Sequence, residues 1–326
     1  MKGAKILLIS FLFSLPLWWG INTFQENLEG VFYAQISQPI EEISLVKIPQ
    51  KPERPELELQ ARAAVSLKSE KILLKNNINQ PLPIASLTKL MTAIIVFENT
   101  TEVDESKDSS PSSPIKMGSI NDYDFSNLIT VSEEAASQED VPIFGNLKAG
   151  DKLLLERALE LMLIYSSNDA AFALAELVGT ENFVEKMNLK AEELELENTH
   201  FVNPTGLDPK GIHYEPANIA CFNHSTAEDL TKITQYILKK YPKIFEISVS
   251  QGPYPTENGT SDLAMPEKFK ILGGKTGYTD EAEGCMLLVL EDGKENKYIN
   301  VILGAPSAAA RIVETQKLID WLAIGQ

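Results

Sequence analysis

The spacing of apolar residues changes along the chain, and those changes outline its elements. Ala61-Arg62-Ala63-Ala64-Val65-Ser66-Leu67 is followed by a polar Lys68-Ser69-Glu70 break and then by Ile72-Leu73-Leu74. Two short apolar runs bounded by a polar turn predict a β-hairpin. From Ser86 the spacing lengthens: Leu87, Leu90, Met91, Ile94 and Ile95 recur on one helical face, which predicts a helix to about Phe97. Order returns at Leu128-Ile129-Thr130-Val131, and a strongly helical region is expected from Leu153 to about Leu194. Gly179 punctuates it, with a new helix starting near Thr180-Glu181. Thr226 to Leu238 is another amphipathic helix, in which Thr226 is a natural N-cap ahead of Glu228 and Asp229. Strand-like runs follow at Phe269–Leu272, Met286–Leu290 and Tyr298–Leu303, with Gly293 in the turn between the last two. A helix from Ala308 to Leu322 closes the chain.

Strands at both ends with helices between them predict an α+β domain in which one sheet gathers segments distant in sequence. This domain is expected over residues 57–326. Within it, residues from about 100 to 127 carry Glu102, Asp104, Glu105 and Asp108 among serines and prolines, a composition that predicts a flexible acidic insertion. Residues 35–56 are polar, with Pro39, Pro49, Pro52 and Pro55, and read as a semi-extended tether. Residues 1–34 differ in kind. Lys2 and Lys5 precede an apolar run from Ile6 to Ile21 that carries Trp18 and Trp19 near its end, suited to the membrane interface, the pattern of an export signal or an uncleaved membrane anchor. Either delivers the rest of the chain to the outer side of the membrane, in the periplasm or on the outer face.

A net charge of −17 argues against nucleic acid as a partner, because phosphate binding needs a basic surface. The two cysteines, Cys221 and Cys285, are too few for a disulfide framework or a structural zinc site. Cys285 sits in an apolar run and reads as a small core residue, although export would allow one bridge between the two. His200, His213 and His224 show no ligand spacing. No metal and no cofactor is expected.

Three short motifs carry the chemistry. Ser86-Leu87-Thr88-Lys89 places a hydroxyl and an amine one helical turn apart, within reach of each other. A serine is a weak nucleophile until a base takes its proton, and a lysine amine does so when burial or a nearby cation favours its neutral form. Ser166-Ser167-Asn168 lies at a break between two apolar helices, where small polar residues face a pocket or simply cap a helix. Lys275-Thr276-Gly277 follows Gly273-Gly274 at the end of a strand, offering a cation and a hydroxyl to a carboxylate beside a glycine that lets backbone approach. Each motif alone is commonplace. Together, in this order, they match the set known from penicillin-binding proteins and class A β-lactamases.

The surrounding sequence resembles the D-alanyl-D-alanine carboxypeptidases among the low-molecular-mass penicillin-binding proteins. The likeness lies in Pro83 to Thr92, Ser167-Asn168-Asp169-Ala170-Ala171, Phe201-Val202-Asn203-Pro204-Thr205-Gly206-Leu207 and Gly273 to Thr279, and extends over residues 57 to 323. It implies the DD-peptidase/β-lactamase fold, an antiparallel sheet flanked by helices plus a helical lobe. It also implies Ser86 as nucleophile, Lys89 as base and Ser166 as proton relay. Asn168, Lys275, Thr276 and Gly277 would hold the substrate, and the backbone N–H groups of Ser86 and Tyr278 would bind the oxyanion. Implied partners are peptidoglycan stem peptides ending in D-Ala-D-Ala, with β-lactams as covalent inhibitors. Ser167 stands where many relatives have Gly, and the sequence between Tyr214 and Phe222 is extra.

Three rivals share parts of this pattern. A class A β-lactamase needs a deacylating glutamate downstream of the second motif, where this chain reads His200-Phe201-Val202-Asn203-Pro204. A DD-endopeptidase uses the same site on cross-links. An inactive peptidoglycan-binding protein would keep the fold and lose the catalytic side chains.

Overall fold

In the computed structural model of the chain, the described residues are 20–28, 56–101, 127–138, 146–250 and 262–324. The chain divides into Met1–Glu53 and Arg54–Gln326. The described part of the first unit is one helix, α1 (residues 20–28), on which Ile21, Phe24 and Leu28 are exposed. No helix among the described residues is long and apolar enough to cross a membrane. The proposed anchor's apolar run lies almost wholly outside the described residues, as do most of the tether and the acidic insertion.

The second unit is built on a five-stranded sheet of order β2-β1-β9-β8-β7, antiparallel throughout. Its strands are β1 (Ala63–Lys68), β2 (Lys71–Asn76), β7 (Phe269–Thr279), β8 (Glu283–Asp292) and β9 (Lys297–Ala305). The predicted hairpin is β1–β2, and the last three strands form one meander that pairs back onto β1. This is why the sheet joins both ends of the domain. Side chains alternate between two cores. Cys285, Leu287 and Val289 of β8 enter one, with Val65, Ile299 and Val301, while Met286, Leu288 and Leu290 enter the other. A strand buried on both faces reads as a continuous apolar run, as this one does.

The second core is closed by α8 (Ala308–Ile324) through Leu318, Ile319 and Leu322. The first is covered by α6 (Ala227–Lys240) and α7 (Lys243–Ser248), and it continues into a helical lobe. That lobe comprises α2 (Lys89–Thr101), α3 (Leu155–Ile164), α4 (Asn168–Glu176) and α5 (Thr180–Glu193). α2 runs through its centre. Its expected stripe of Leu90, Met91, Ile94 and Ile95 is buried, but so are Ala93, Val96 and Phe97, so the helix is wrapped on every side.

Several boundaries differ from the sequence expectation for local reasons. Ser86 lies in a 3₁₀ turn, Ala85–Thr88, and α2 proper begins at Lys89. Leu153 belongs to a short strand, β5 (Lys152–Leu154), which pairs with β4 (Leu128–Thr130) ahead of α3. Strands this short leave no periodicity to read. Two others, β3 (Leu82–Pro83) and β6 (His224–Ser225), were equally invisible. β7 extends beyond Leu272 through Thr279, because a register shift between Ile271 and Gly273 carries the pairing past the bulge. Thr226 caps α6 as expected, its Oγ1 accepting the Asp229 N–H at 3.0 Å. Cys285 is buried and Cys221 exposed, and neither is disulfide-bonded.

Candidate active site

The three motifs converge on one cleft of about 250 Å³ between the outer edge of β7 and the helical lobe. Ser86, Ser166, Asn168, Thr276, Gly277 and Tyr278 all line it. Among the described residues β7 is an edge strand, so Lys275–Thr279 runs along a border of the sheet that no further described strand covers.

Ser86 is presented by a strained turn. Ala85, immediately before it, has φ +45°, in the left-handed region that costs a side-chain-bearing residue about 1–3 kcal/mol. Two glycines let backbone press against this peptide from both sides. A Cβ at Gly206 would lie 2.1 Å from the Ala85 carbonyl oxygen, and one at Gly277 would lie 3.0 Å from that of Ile84 and 3.1 Å from Ser86 N. The Ser86 peptide is thus clamped between the loop at Gly206 and the C-terminal part of β7.

Lys89 is wholly buried beneath Ser86. Its Nζ donates to Ser86 Oγ at 2.9 Å, to Asn168 Oδ1 at 2.6 Å and to the Thr205 carbonyl at 2.6 Å. Two of the amine's tetrahedral positions therefore face fixed acceptors while the third faces the serine. Lys275, equally buried, donates to Ser166 Oγ at 2.9 Å and to the Thr276 carbonyl at 2.9 Å. The two lysines thus bind two different hydroxyls that open on the same cleft.

The second motif divides its labour. Ser167 is the helix cap, its Oγ accepting the Ala170 N–H at 3.1 Å, and this frees Ser166 and Asn168 for the cleft. Ser166 itself has φ +63°, a second left-handed residue at the site.

Five contributors were not foreseen. The Thr205 carbonyl that meets Lys89 is placed by Asn203, whose Oδ1 accepts from Thr205 N at 3.1 Å and Gly206 N at 2.7 Å. Asn223, buried, crosses to the Ser86 turn by donating to Thr88 Oγ1 at 3.0 Å, and also donates to the Asn203 carbonyl at 2.8 Å. Asn203 sits within a segment quoted for its resemblance, and an Asn two residues before a Thr is a recognisable turn signal. Arg311 of α8 reaches the cleft and donates to the Gly277 carbonyl at 2.8 Å, and no local pattern marked it. Leu207 lines the cleft beside Gly206.

Asp208 follows Leu207. Burial pushes its carboxyl upward against a hydrogen bond from Thr279. Among the described residues no group of three or more His, Cys, Asp or Glu could hold a metal ion.

A buried amine against a cleft serine, a second buried cation nearby, and a sheet edge alongside define a class: serine enzymes that transfer acyl groups through a lysine-activated hydroxyl. Within that class the chain belongs to the D-alanyl-D-alanine carboxypeptidase family, whose family model matches residues 48–307.

The D-alanyl-D-alanine carboxypeptidase DacF of Bacillus subtilis is 32% identical over 82% of this chain. The chain spans 63% of that relative's length. A D-alanyl-D-alanine endopeptidase of Escherichia coli is 27% identical, over 84% of this chain and 80% of its own. Among solved structures, penicillin-binding protein 6B of E. coli superposes with a TM-score of 0.62 at 28% identity, covering 83% of this chain and 80% of that one. A penicillin-binding protein of Listeria monocytogenes with cefotaxime bound gives 0.58 at 27%, covering 82% and 98%. These neighbours have the DD-peptidase/β-lactamase architecture expected from the sequence.

Proposed function

We propose that the chain is a serine-type D-Ala-D-Ala carboxypeptidase that removes the terminal D-Ala from peptidoglycan stem peptides through an acyl-enzyme on Ser86. The observation that carries this reading is the Lys89 amine, buried and held between Ser86 Oγ, Asn168 Oδ1 and the Thr205 carbonyl. As a neutral amine it keeps N–H bonds to the two fixed acceptors and turns its lone pair to the serine. Lys89 then takes the Ser86 proton as Oγ attacks the penultimate D-Ala carbonyl. The oxyanion is received by the backbone N–H groups of Ser86 and Tyr278. As the tetrahedral adduct collapses, the proton held by Lys89 passes through Ser166, which Lys275 holds, to the leaving amine of the terminal D-Ala, and Lys89 is neutral again. Water then attacks the ester, returns the proton to Ser86 and frees the shortened peptide.

The terminal carboxylate lies against Thr276 and the Lys275 and Arg311 cations, with Asn168 holding the peptide and Gly277 giving its backbone room. The edge position of β7 suits an extended peptide laid along it as an added strand. A β-lactam imitates the D-Ala-D-Ala end and stays on Ser86. Residues 57–326 form the catalytic domain on this reading. It works outside the membrane on a tether over residues 35–56, with residues 1–34 serving as signal or anchor.

Labelling with a fluorescent penicillin tests the reading. Wild-type protein is expected to carry one covalent label, and Ser86→Ala none. Label on Ser86→Ala, or its absence from wild type, overturns the assignment. Cleavage of cross-linked dimers is the second reading, favoured by the endopeptidase's likeness over most of both chains. It is separated from the first by comparing dimer cleavage with D-Ala release.

A further inference from the structure

The turn joining β7 to β8 carries a carboxylate that the chemistry above does not use. Glu281 stands two residues beyond Thr279, which lines one wall of the cleft. Its partners belong to the segment following Leu207, on another wall. One carboxylate oxygen accepts the Tyr214 N–H at 2.5 Å, and the other lies 2.6 Å from Nδ1 of His213. The backbone of Glu281 is engaged as well. Its N–H donates to Asp208 Oδ2 at 3.3 Å, and its carbonyl accepts Arg62 Nη2 at 3.3 Å. Arg62 also pairs with Glu283 at 2.9 Å, and its guanidinium lies 5.3 Å from the centre of the Tyr214 ring.

These contacts matter because the segment is otherwise held only at its margins, by Tyr214 packed edge-on to Phe222 and against the rim of the core, by Asn203 and Thr205 on Leu207, and by Thr279 on Asp208. No residue from Leu207 to Cys221 is buried. A loop without buried apolar anchors takes its position from directed polar contacts, and its local stability is low where those are few. Here the hydrogen bonds from the His213 ring and the Tyr214 N–H both end on the Glu281 carboxylate. The Tyr214 N–H first and His213 second hold the Glu281 carboxyl below its ordinary range, so it stands as an anion at the join.

We propose that Glu281 is a positioning residue that latches the Leu207–Tyr214 segment to the end of β7 and thereby sets the width of the substrate cleft. It touches no reacting atom. Its loss widens the cleft between Leu207 and Tyr278–Thr279, weakens substrate capture and leaves the Ser86–Lys89 geometry in place. The inference rests on the cleft being the substrate site, as proposed above.

The test is saturation kinetics of acylation by a fluorescent penicillin, paired with hydrogen exchange at the Tyr214 amide. In Glu281→Ala the concentration for half-maximal acylation is expected to rise about tenfold, the loss of a charge-assisted hydrogen bond, with the limiting rate within about twofold of wild type. Glu281→Gln keeps an acceptor for the Tyr214 N–H and is expected to recover most of the difference. His213→Ala, at an exposed position, is expected to shift half-saturation by about threefold. The Tyr214 amide is expected to exchange faster in Glu281→Ala.

Unchanged half-saturation in Glu281→Ala overturns the latch, as does a fall in limiting rate alone. If wild-type protein takes no label, the serine-enzyme reading fails and the substrate role of the latch with it. Exchange at Tyr214 then still reports whether Glu281 holds the segment.

Discussion

Replacing Gly206 by alanine adds one methyl group and strikes at the nucleophile. Gly206 has φ +87°, and a Cβ there would sit 2.1 Å from the Ala85 carbonyl oxygen, 2.5 Å from its carbon and 3.0 Å from Ser86 N. Ordinary contact requires the peptide to retreat by about 1 Å. It cannot simply rotate away, because Ala85 is already at φ +45° and Gly277 closes the other side. The stability cost combines overpacking, about 1–3 kcal/mol, with left-handed strain of about 1–2 kcal/mol. The functional cost is larger. A displacement of about 1 Å at a reacting group lowers rates by about a hundredfold, so acylation is expected to fall by that factor. Urea denaturation separates the two effects by measuring how much protein is folded under assay conditions. Gly293→Ala is the control: it lies in the β8–β9 turn with no atom within 4 Å of the added carbon, and should match wild type. A Gly206→Ala protein that acylates within about threefold of wild type would refute the claim that this glycine fixes the nucleophile turn.

Lys89→Ala is expected to lower acylation by about a thousandfold while the protein still folds, as judged by circular dichroism, because the cost falls on proton transfer. Acylation near the wild-type rate would point to another base. Lys275→Ala is expected to raise KM for a D-Ala-D-Ala peptide more than it lowers kcat, and an unchanged KM would remove the lysine from carboxylate binding. Asp292 offers a test of stability against pH. Burial alone would raise its carboxyl, but hydrogen bonds from Asn296, Lys294 N–H and the Tyr298 hydroxyl outweigh it and bring it down to about 2 from 3.8. A depressed carboxyl stabilises the fold above its unfolded value, and that contribution, about 2 kcal/mol, disappears as pH falls from about 3.8 toward 2. Asp292→Asn is therefore expected to be less stable in urea at pH 6, with the gap closing at acid pH. A gap that does not shrink between pH 6 and pH 2.5 contradicts this.

Much of the site was legible because its chemistry is concentrated in side chains at short, fixed spacing. Ser86 with Lys89, Ser166 with Asn168, and Lys275 with Thr276 needed only to be brought together, and strand-like runs at both ends of the domain pointed to one sheet that gathers distant segments. What escaped reading is of another physical kind. The Thr205 carbonyl that orients Lys89 is a backbone group, which residue identity does not announce. Arg311 reaches the cleft only because α8 packs across β8 and β9. The Glu281 carboxylate looks like an ordinary solvated turn residue until the fold sets it against Tyr214 and His213. The helix expected from Leu153 starts two residues later, at Leu155, because β5 is too short to show a period. Ser167, noted as an oddity where relatives carry glycine, proved to be the cap that frees its neighbours for the cleft.

The most direct test of the central claim is release of free D-alanine from a stem pentapeptide ending in D-Ala-D-Ala, measured for wild type and Ser86→Ala side by side. Steady release by wild type, with background levels from the variant, is the expected result. Release that survives loss of the Ser86 hydroxyl, or none from wild type that accepts penicillin, would contradict it.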